Sequence, residues 1–178
     1  SCENKKKISK TTPAKSQFKA RFMTLDPGHF HAALVYKNDY TVASKDCDVF
    51  APDGLEVKDF LNKVDSYNQR DEAPTNWNIR KHISEDFLET MLVQKPGNVM
   101  VVAGKNAKKV EYILKAVQAG IHVFADKPMV INPEGYEVLK EAFILAKEKD
   151  ILVYDIMTER FETTTIMQKR LSQASYLF

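Results

Sequence analysis

The chain has 178 residues, 44% of them hydrophobic and 28% charged, which suits one domain of ordinary size whose core needs no disulfide or metal staple. No run of about 18 apolar residues occurs, so no segment is long and apolar enough to cross a membrane as a helix. The net charge of +2 is uneven: residues 1–21 hold seven Lys/Arg against one acid, and the remaining 157 hold 19 bases against 23 acids, an acidic body that lacks the clustered bases of a nucleic-acid face.

Residues 1–20 place Lys5, Lys6, Lys7, Lys10, Lys15 and Lys19 among Ser, Thr and Pro, the composition of a disordered basic tether. Cys2 stands at the head of that tether. It has the look of a lipidated bacterial lipoprotein start, which makes the protein exported, periplasmic or membrane-anchored; the plain alternative is a disordered terminus with an incidental cysteine, on a cytoplasmic protein. Two cysteines make no disulfide framework, and Cys47 sits in an apolar stretch as a buried thiol.

Order is expected from Arg21. Phe22-Met23-Thr24-Leu25 reads as a strand stopped by Asp26-Pro27-Gly28, and helical spacing follows over 29–37. Cys47-Asp48-Val49-Phe50-Ala51 is a second strand, closed by Pro52-Asp53-Gly54. Leu55, Phe60, Leu61 and Val64 mark a helix, and the polar residues 66–78 read as a loop. Ser84 opens a helix through Phe87, Leu88, Met91 and Leu92 that Pro96-Gly97 ends. Residues 98–104 form a continuous apolar run, the pattern of a strand buried on both faces. Asn106 is the expected cap of the next helix, which carries Val110, Ile113, Leu114 and Val117 and stops at Gly120. A buried strand over 121–125 ends at Asp126-Lys127-Pro128. Asn132-Pro133 opens a helix whose apolar stripe is Tyr136, Leu139, Phe143 and Ala146; a strand over 151–154 and a last helix from about 161 to 173 follow.

Alternation of short apolar strands with helices implies an α/β fold, a doubly wound parallel sheet covered on both faces. In such sheets the ligand lies beyond the carboxyl ends of the strands, which selects 26–31, 51–54, 104–106, 125–128 and 155–160. The first turn, Asp26-Pro27-Gly28-His29-Phe30-His31, stands where a dinucleotide fold places Gly-x-Gly-x-x-Gly, and it keeps one glycine. His29 and His31 fit contact with a ligand, a helix start, or imidazole donation to an ion; no Cys, Asp or Glu at ligand spacing completes a set, so no metal site is assigned. Asp53, 25 residues past Gly28, fits an acceptor for ribose hydroxyls and equally a turn aspartate. Lys127, fixed by Pro128 at the end of a buried strand, fits a donor to a reacting substrate oxygen and equally a surface lysine paired with Asp126.

Val101-Val102-Ala103-Gly104-Lys105-Asn106, a helix ending in Ala119-Gly120, and Ile121-His122-Val123-Phe124-Ala125-Asp126-Lys127-Pro128 together resemble the glucose–fructose oxidoreductase / inositol 2-dehydrogenase (Gfo/Idh/MocA) family. That family's pattern is a strand, a Thr-Pro-Asn-like turn, a helix, Ala-Gly-Lys-His-Val and then Glu-Lys-Pro. Gly104-Lys105-Asn106 replaces the turn here and Asp126 the glutamate, while Lys127 and Pro128 match. The resemblance runs over roughly 21–170, through Arg160-Phe161, and is specific in 98–161. It implies a Rossmann-like domain over 21–160 that binds NAD or NADP, with cofactor contacts from Asp26, Gly28, His29, Phe30, His31, Asp53, Gly104, Asn106, Asp126 and Pro128, and Lys127 as the catalytic residue beside nicotinamide and substrate oxygen. Residues 161–178 would begin the family's second α/β domain, which this chain does not contain, so the chain is expected to lack turnover alone. The Asp-Pro-Gly-His-Phe-His turn resembles exported oxidoreductases of Bacteroidetes. The function implied is oxidation or reduction of a sugar- or cyclitol-like small molecule. A non-catalytic binding module with an eroded cofactor turn and an NAD-using glycosidase are the alternatives. A stranded apolar carboxyl-terminal helix suggests a homo-oligomer.

Overall fold

The computed structural model describes residues 18–156 and 162–174; the expected tether up to residue 17, with Cys2, and the Arg160-Phe161 pair lie outside the described residues. In chain order the elements are β1 (Phe22–Leu25), α1 (His31–Leu34), β2 (Asp46–Ala51), α2 (Leu55–Gln69), β3 (Asn78–Ile83), α3 (Phe87–Gln94), β4 (Val99–Val102), α4 (Asn106–Gln118), β5 (His122–Ala125), α5 (Pro133–Glu148), β6 (Val153–Asp155) and α6 (Thr163–Ser172). The strands lie in the order β3-β2-β1-β4-β5-β6, and every neighbouring pair is parallel.

Parallel pairing forces each connection to cross over a face of the sheet, and the helices do so. The core on one face gathers Phe22, Tyr36, Val49, Phe60, Val64, Trp77 and Val101; the core on the other gathers Met23, Leu25, Phe50, Met91, Met100, Ile113 and Val117. Alternate residues of β1, β2 and β4 thus feed opposite cores, which is why these strands read as continuous apolar runs. The result is the expected doubly wound, Rossmann-like α/β sheet. Winding reverses between β1 and β4, so a crevice opens beyond their carboxyl ends.

Several local expectations change. The segment read as a loop over 66–78 divides into the end of α2, a short connection, and β3, an edge strand with Arg80, Lys81 and His82 among its six residues. The connection is folded back rather than free: Asn68 Nδ2 donates to Trp77 O (2.9 Å), while Asn68 Oδ1 accepts from Thr75 Oγ1 (2.8 Å) and Trp77 N–H (3.0 Å). α1 is a single turn, since Tyr36 leaves the helix to bury its ring beside Phe60 and Trp77 and to share a hydrogen bond with Thr24 Oγ1 (2.7 Å). Asn106 does not cap α4; the residue at that boundary is Lys105, in the left-handed region at φ 51°, and Asn106 Oδ1 accepts from Lys109 Nζ (2.8 Å) instead. Tyr136 and Phe143 of α5 are exposed, and its buried stripe is Gly135, Leu139, Ala142 and Ala146, residues mostly small enough for α5 to lie close on α4. β6 begins two residues later than expected, because Ile151 N–H is taken by Ala146 O (2.8 Å) and Leu152 N–H by His122 Nδ1 (3.0 Å).

Ser84 does not open α3 either: its N–H is taken by Ala51 O (3.1 Å) and the boundary residue is Asp86, whereas two later boundaries follow their signals. Asn132 Oδ1 accepts from Gly135 N–H (2.8 Å) with Pro133 in the first turn of α5, and Gly120 closes α4 at φ 78°.

Candidate functional site

Three loops meet beyond the carboxyl ends of β1, β4 and β5. The turn after β1 is pinned to the sheet: Asp26 N–H donates to Phe50 O (2.9 Å), and Gly28 N–H donates to Ala103 O (2.9 Å). Gly104 has φ 80°, and a Cβ there would stand 2.6 Å from the Gly28 carbonyl carbon. Only glycine allows these two loops to touch. Gly28 in turn leaves the space that the Lys105 methylenes occupy, 3.0 Å from where its Cβ would be. The Lys105 ammonium pairs with Glu56 of α2 and lies 3.5 Å from Asp26 Oδ1. The hydrogen bond that Lys105 donates to Glu56 raises its proton affinity, against partial burial and with help from Asp26. Asp26 also accepts from Tyr112 Oη (3.1 Å), and burial followed by the Asp26 charge pushes that phenol well up.

The second feature is a buried ion pair. Lys109 of α4 is fully buried, and its ammonium reaches Asp126 Oδ1, Asn106 Oδ1 (2.8 Å), Asp126 O (3.1 Å) and Pro128 O (3.0 Å). One cation thereby fixes the whole Asp126-Lys127-Pro128 loop, whose Lys127–Pro128 peptide is cis. Asp126 accepts from Gly104 N–H as well (3.1 and 3.3 Å), so the loops after β4 and β5 share one carboxylate. Its Oδ2 faces two imidazoles, His31 Nδ1 at 3.5 Å and His29 Nδ1 at 3.7 Å. Burial and then the neighbouring His31 lower the proton affinity of His29, while Asp126 works the other way.

Lys127 and Pro128 are exposed on that loop, and Lys127 is close enough to His29 to oppose its protonation. A cleft of about 400 Å³ runs between the β1 turn and α2, lined by Gly28, His29, Phe30, Glu56, Asp59 and Lys63 among others. Ten of the candidate residues therefore sit at one edge of the sheet: Asp26, Gly28, His29, Phe30, His31, Gly104, Asn106, Asp126, Lys127 and Pro128. Asp53 stands apart from the cleft lining, with its carboxylate 72% exposed and paired with Lys58 (3.0 Å). Glu56, one turn further on, takes the position against the cleft.

The sequence alone assigns no role of their own to Glu56, Lys105, Lys109 and Tyr112, although Lys105 lies in the selected 104–106 turn. A signal for two of them existed. Lys109 and Tyr112 fall on the same stripe as Ile113, Ala116 and Val117, the spacing of one buried helix face, so a lysine there had to be a buried cation with a partner. Glu56 and Lys105 meet only through tertiary structure.

The arrangement fits a dinucleotide. The Lys105 stem lies over Gly28 and carries its ammonium to Asp26 and Glu56 beside the crevice, a cation for a diphosphate, and the neighbouring cleft has the size of a small-ligand site. Comparison with known proteins agrees. Residues 31–155 match the family described as "Oxidoreductase family, NAD-binding Rossmann fold", GFO_IDH_MocA. Among solved structures, an inferred oxidoreductase from Parabacteroides merdae is 50% identical at a TM-score of 0.85; the match covers 89% of this chain and 36% of that one. The apo scyllo-inositol dehydrogenase of Lactobacillus casei shares the fold at 13% identity and a TM-score of 0.65, over 91% of this chain and 44% of that one. The WlbA dehydrogenase of Chromobacterium violaceum, solved with NADH and UDP-GlcNAcA, does so at 20% identity and 0.64, over 92% and 42%. The match thus spans less than half the length of each of these solved relatives. No curated protein matches it significantly.

Proposed function

The chain belongs to the Gfo/Idh/MocA oxidoreductase family through its NAD-binding Rossmann domain, and on that premise we propose that it is the nucleotide-binding part of an enzyme that oxidises or reduces a sugar- or cyclitol-like substrate. The bound NAD(P) supplies hydride exchange; the chain's residues bind, orient and balance charge. Gly28 and Gly104 let the loops after β1 and β4 meet at the cofactor side of the crevice, with the Lys105 stem lying over Gly28. Lys105 leaves Glu56, an exposed and weakly held partner, to meet the diphosphate. Lys127, carried on a loop that the buried Lys109–Asp126 pair holds still, donates a hydrogen bond to the reacting oxygen and steadies its negative charge. The sugar-like substrate is supported by the inositol dehydrogenase and nucleotide-sugar relatives that share the fold. Residues beyond this chain complete the substrate pocket, in keeping with the greater length of those relatives, so the chain alone binds nucleotide without turnover.

The observation that carries this reading is the meeting of the Gly28 and Gly104 loops at the point where sheet winding reverses, with Lys105 across them. Calorimetric titration of NADH and NADPH into the chain tests it. Binding in the micromolar to millimolar range is expected, weakened roughly tenfold by Lys105→Met, the share of one charge-assisted contact, and changed little by Lys127→Ala. Absence of binding by either nucleotide would remove the cofactor assignment from this chain.

A further inference from the structure

The His29–His31–Asp126 group lies beside the nucleotide crevice, and one of its atoms stands out. His31 Nδ1 is buried and has no hydrogen-bond partner. A buried polar atom left in that state is costly, so its surroundings must supply something the protein itself does not. Its ring faces Asp126 Oδ2 at 3.5 Å, and His29 Nδ1 faces the same oxygen at 3.7 Å. Both distances are too long for a good hydrogen bond. Both are close to the edge, about 3.4 Å, that a tetrahedral ion imposes between ligands held at 2.0–2.1 Å. One ligand atom from each of the three residues lies within 4.8 Å of the others, and the bond that His29 Nδ1 accepts from the His31 N–H is long at 3.4 Å.

We propose that His29 Nδ1, His31 Nδ1 and Asp126 Oδ2 form a binding site for one divalent cation of the zinc class, with the remaining coordination position open to solvent on the His29 side. Two imidazoles and a carboxylate are a donor set that zinc-class ions favour over magnesium or calcium, which take oxygen. Two of the three ligands are buried and held by the fold. Asp126 is fixed by Lys109 and by the Gly104 N–H, and Lys109 occupies Oδ1, so Oδ2 is the oxygen left to bind. Fixing a ligating carboxylate through its second oxygen is the usual work of the groups around a metal. The Lys109 charge nearby opposes a dication, which sets the expected affinity at micromolar rather than nanomolar. His29, with a side chain 42% exposed, has the freedom to close the last edge. The sequence concealed this set because its third ligand comes from the loop after β5, nearly a hundred residues away from the histidines.

Calorimetric titration of chelator-treated chain with zinc, together with cobalt(II) titration followed by visible absorption, decides the matter. One equivalent is expected to bind with a micromolar dissociation constant, and cobalt is expected to give the intense d–d bands of a low-coordinate nitrogen–oxygen site without sulfur charge transfer. His29→Gln should weaken binding tenfold or more, and His31→Gln should abolish the cobalt bands. His122→Gln and Cys2→Ser should change neither. Should His31→Gln fail to fold by circular dichroism, His29→Gln at its exposed position carries the test. No binding tighter than millimolar, or zinc binding that His29→Gln leaves intact, would overturn the site and leave a bound water as the partner of His31. The proposal stands apart from the nucleotide reading. Zinc binding without NADH binding upholds the site and removes the cofactor assignment, and NADH binding to metal-free chain without zinc binding does the reverse.

Discussion

Lys109 shows how one side chain can organise a functional loop without facing the solvent. Its ammonium is surrounded by one carboxylate and three neutral oxygens, so its burial is compensated only while Asp126 is charged and in place. Lys109→Met keeps the stem's volume and removes the charge, leaving a buried carboxylate against Gly104 and two imidazoles. A loss of about 3–5 kcal/mol in unfolding free energy is expected from guanidinium titration. The double change Lys109→Met with Asp126→Leu should recover much of that loss, because it removes the orphaned charge; a double variant as unstable as the sum of its parts would show that the pair acts through separate contacts. Residues of this kind are legible in a sequence only once the helix stripe is drawn. Lys127, by contrast, is conspicuous because strand end, acid and proline bracket it, and its exposure on the loop agrees with a group meant to meet a ligand.

Among the elements, β3 is the instructive one. Its six residues, Asn-Ile-Arg-Lys-His-Ile, include three cationic or titratable side chains and offer little of the apolar run that marked β1, β4 and β5. It is an edge strand, and edge strands tolerate charge because half their backbone faces away from the sheet. What recruits it is a side chain on its neighbour: Asp48, fully buried in β2, accepts from Arg80 Nε and Nη2 (3.1 and 3.2 Å) and Arg21 Nη2 (3.3 Å) and contacts His82 Nε2 (2.9 Å). His82 also stacks on Phe50 at 4.2 Å. Asp48→Asn keeps the shape and loses the charge that three basic side chains share, and should destabilise the domain by about 2–4 kcal/mol in chemical denaturation. Arg80→Met should cost less, since the Arg80 side chain is 53% exposed and Arg21 and His82 remain. Equal losses from both would mean that strand pairing, not Asp48, holds the edge. The central strands and the long helices were readable because burial on both faces or along one stripe writes itself into residue order. β3, the single-turn α1 and the Lys105 boundary of α4 were not, since contacts distant in sequence decide them.

For the whole molecule, both cores bury weak acids that burial holds protonated, Tyr112 on one side of the sheet and a thiol with a phenol on the other. One of them contains Cys47 and Tyr36, both fully buried. Burial pushes the Cys47 thiol from 9.0 up to about 12, with a lesser contribution from Asp48 beyond the opposing hydrogen bond of Phe22, and it pushes the Tyr36 phenol well up too. Each group is neutral when protonated, so the fold binds its proton more tightly than the unfolded chain does. Stability from Cys47 is then fully present below about pH 9 and is lost as pH rises from there toward 12, where the unfolded thiol ionises and the folded one does not. The tyrosine adds to this only above about pH 10. Between pH 9 and 10 the thiol is therefore the dominant raised acid, and the guanidinium midpoint should fall steadily across that interval. Cys47→Ala lowers stability at pH 7 by the loss of a buried sulfur, yet it should flatten the decline between pH 9 and 10, because no thiolate remains for the unfolded chain to gain. Parallel declines in the two proteins would mean that the core at Cys47 opens to water before the domain unfolds.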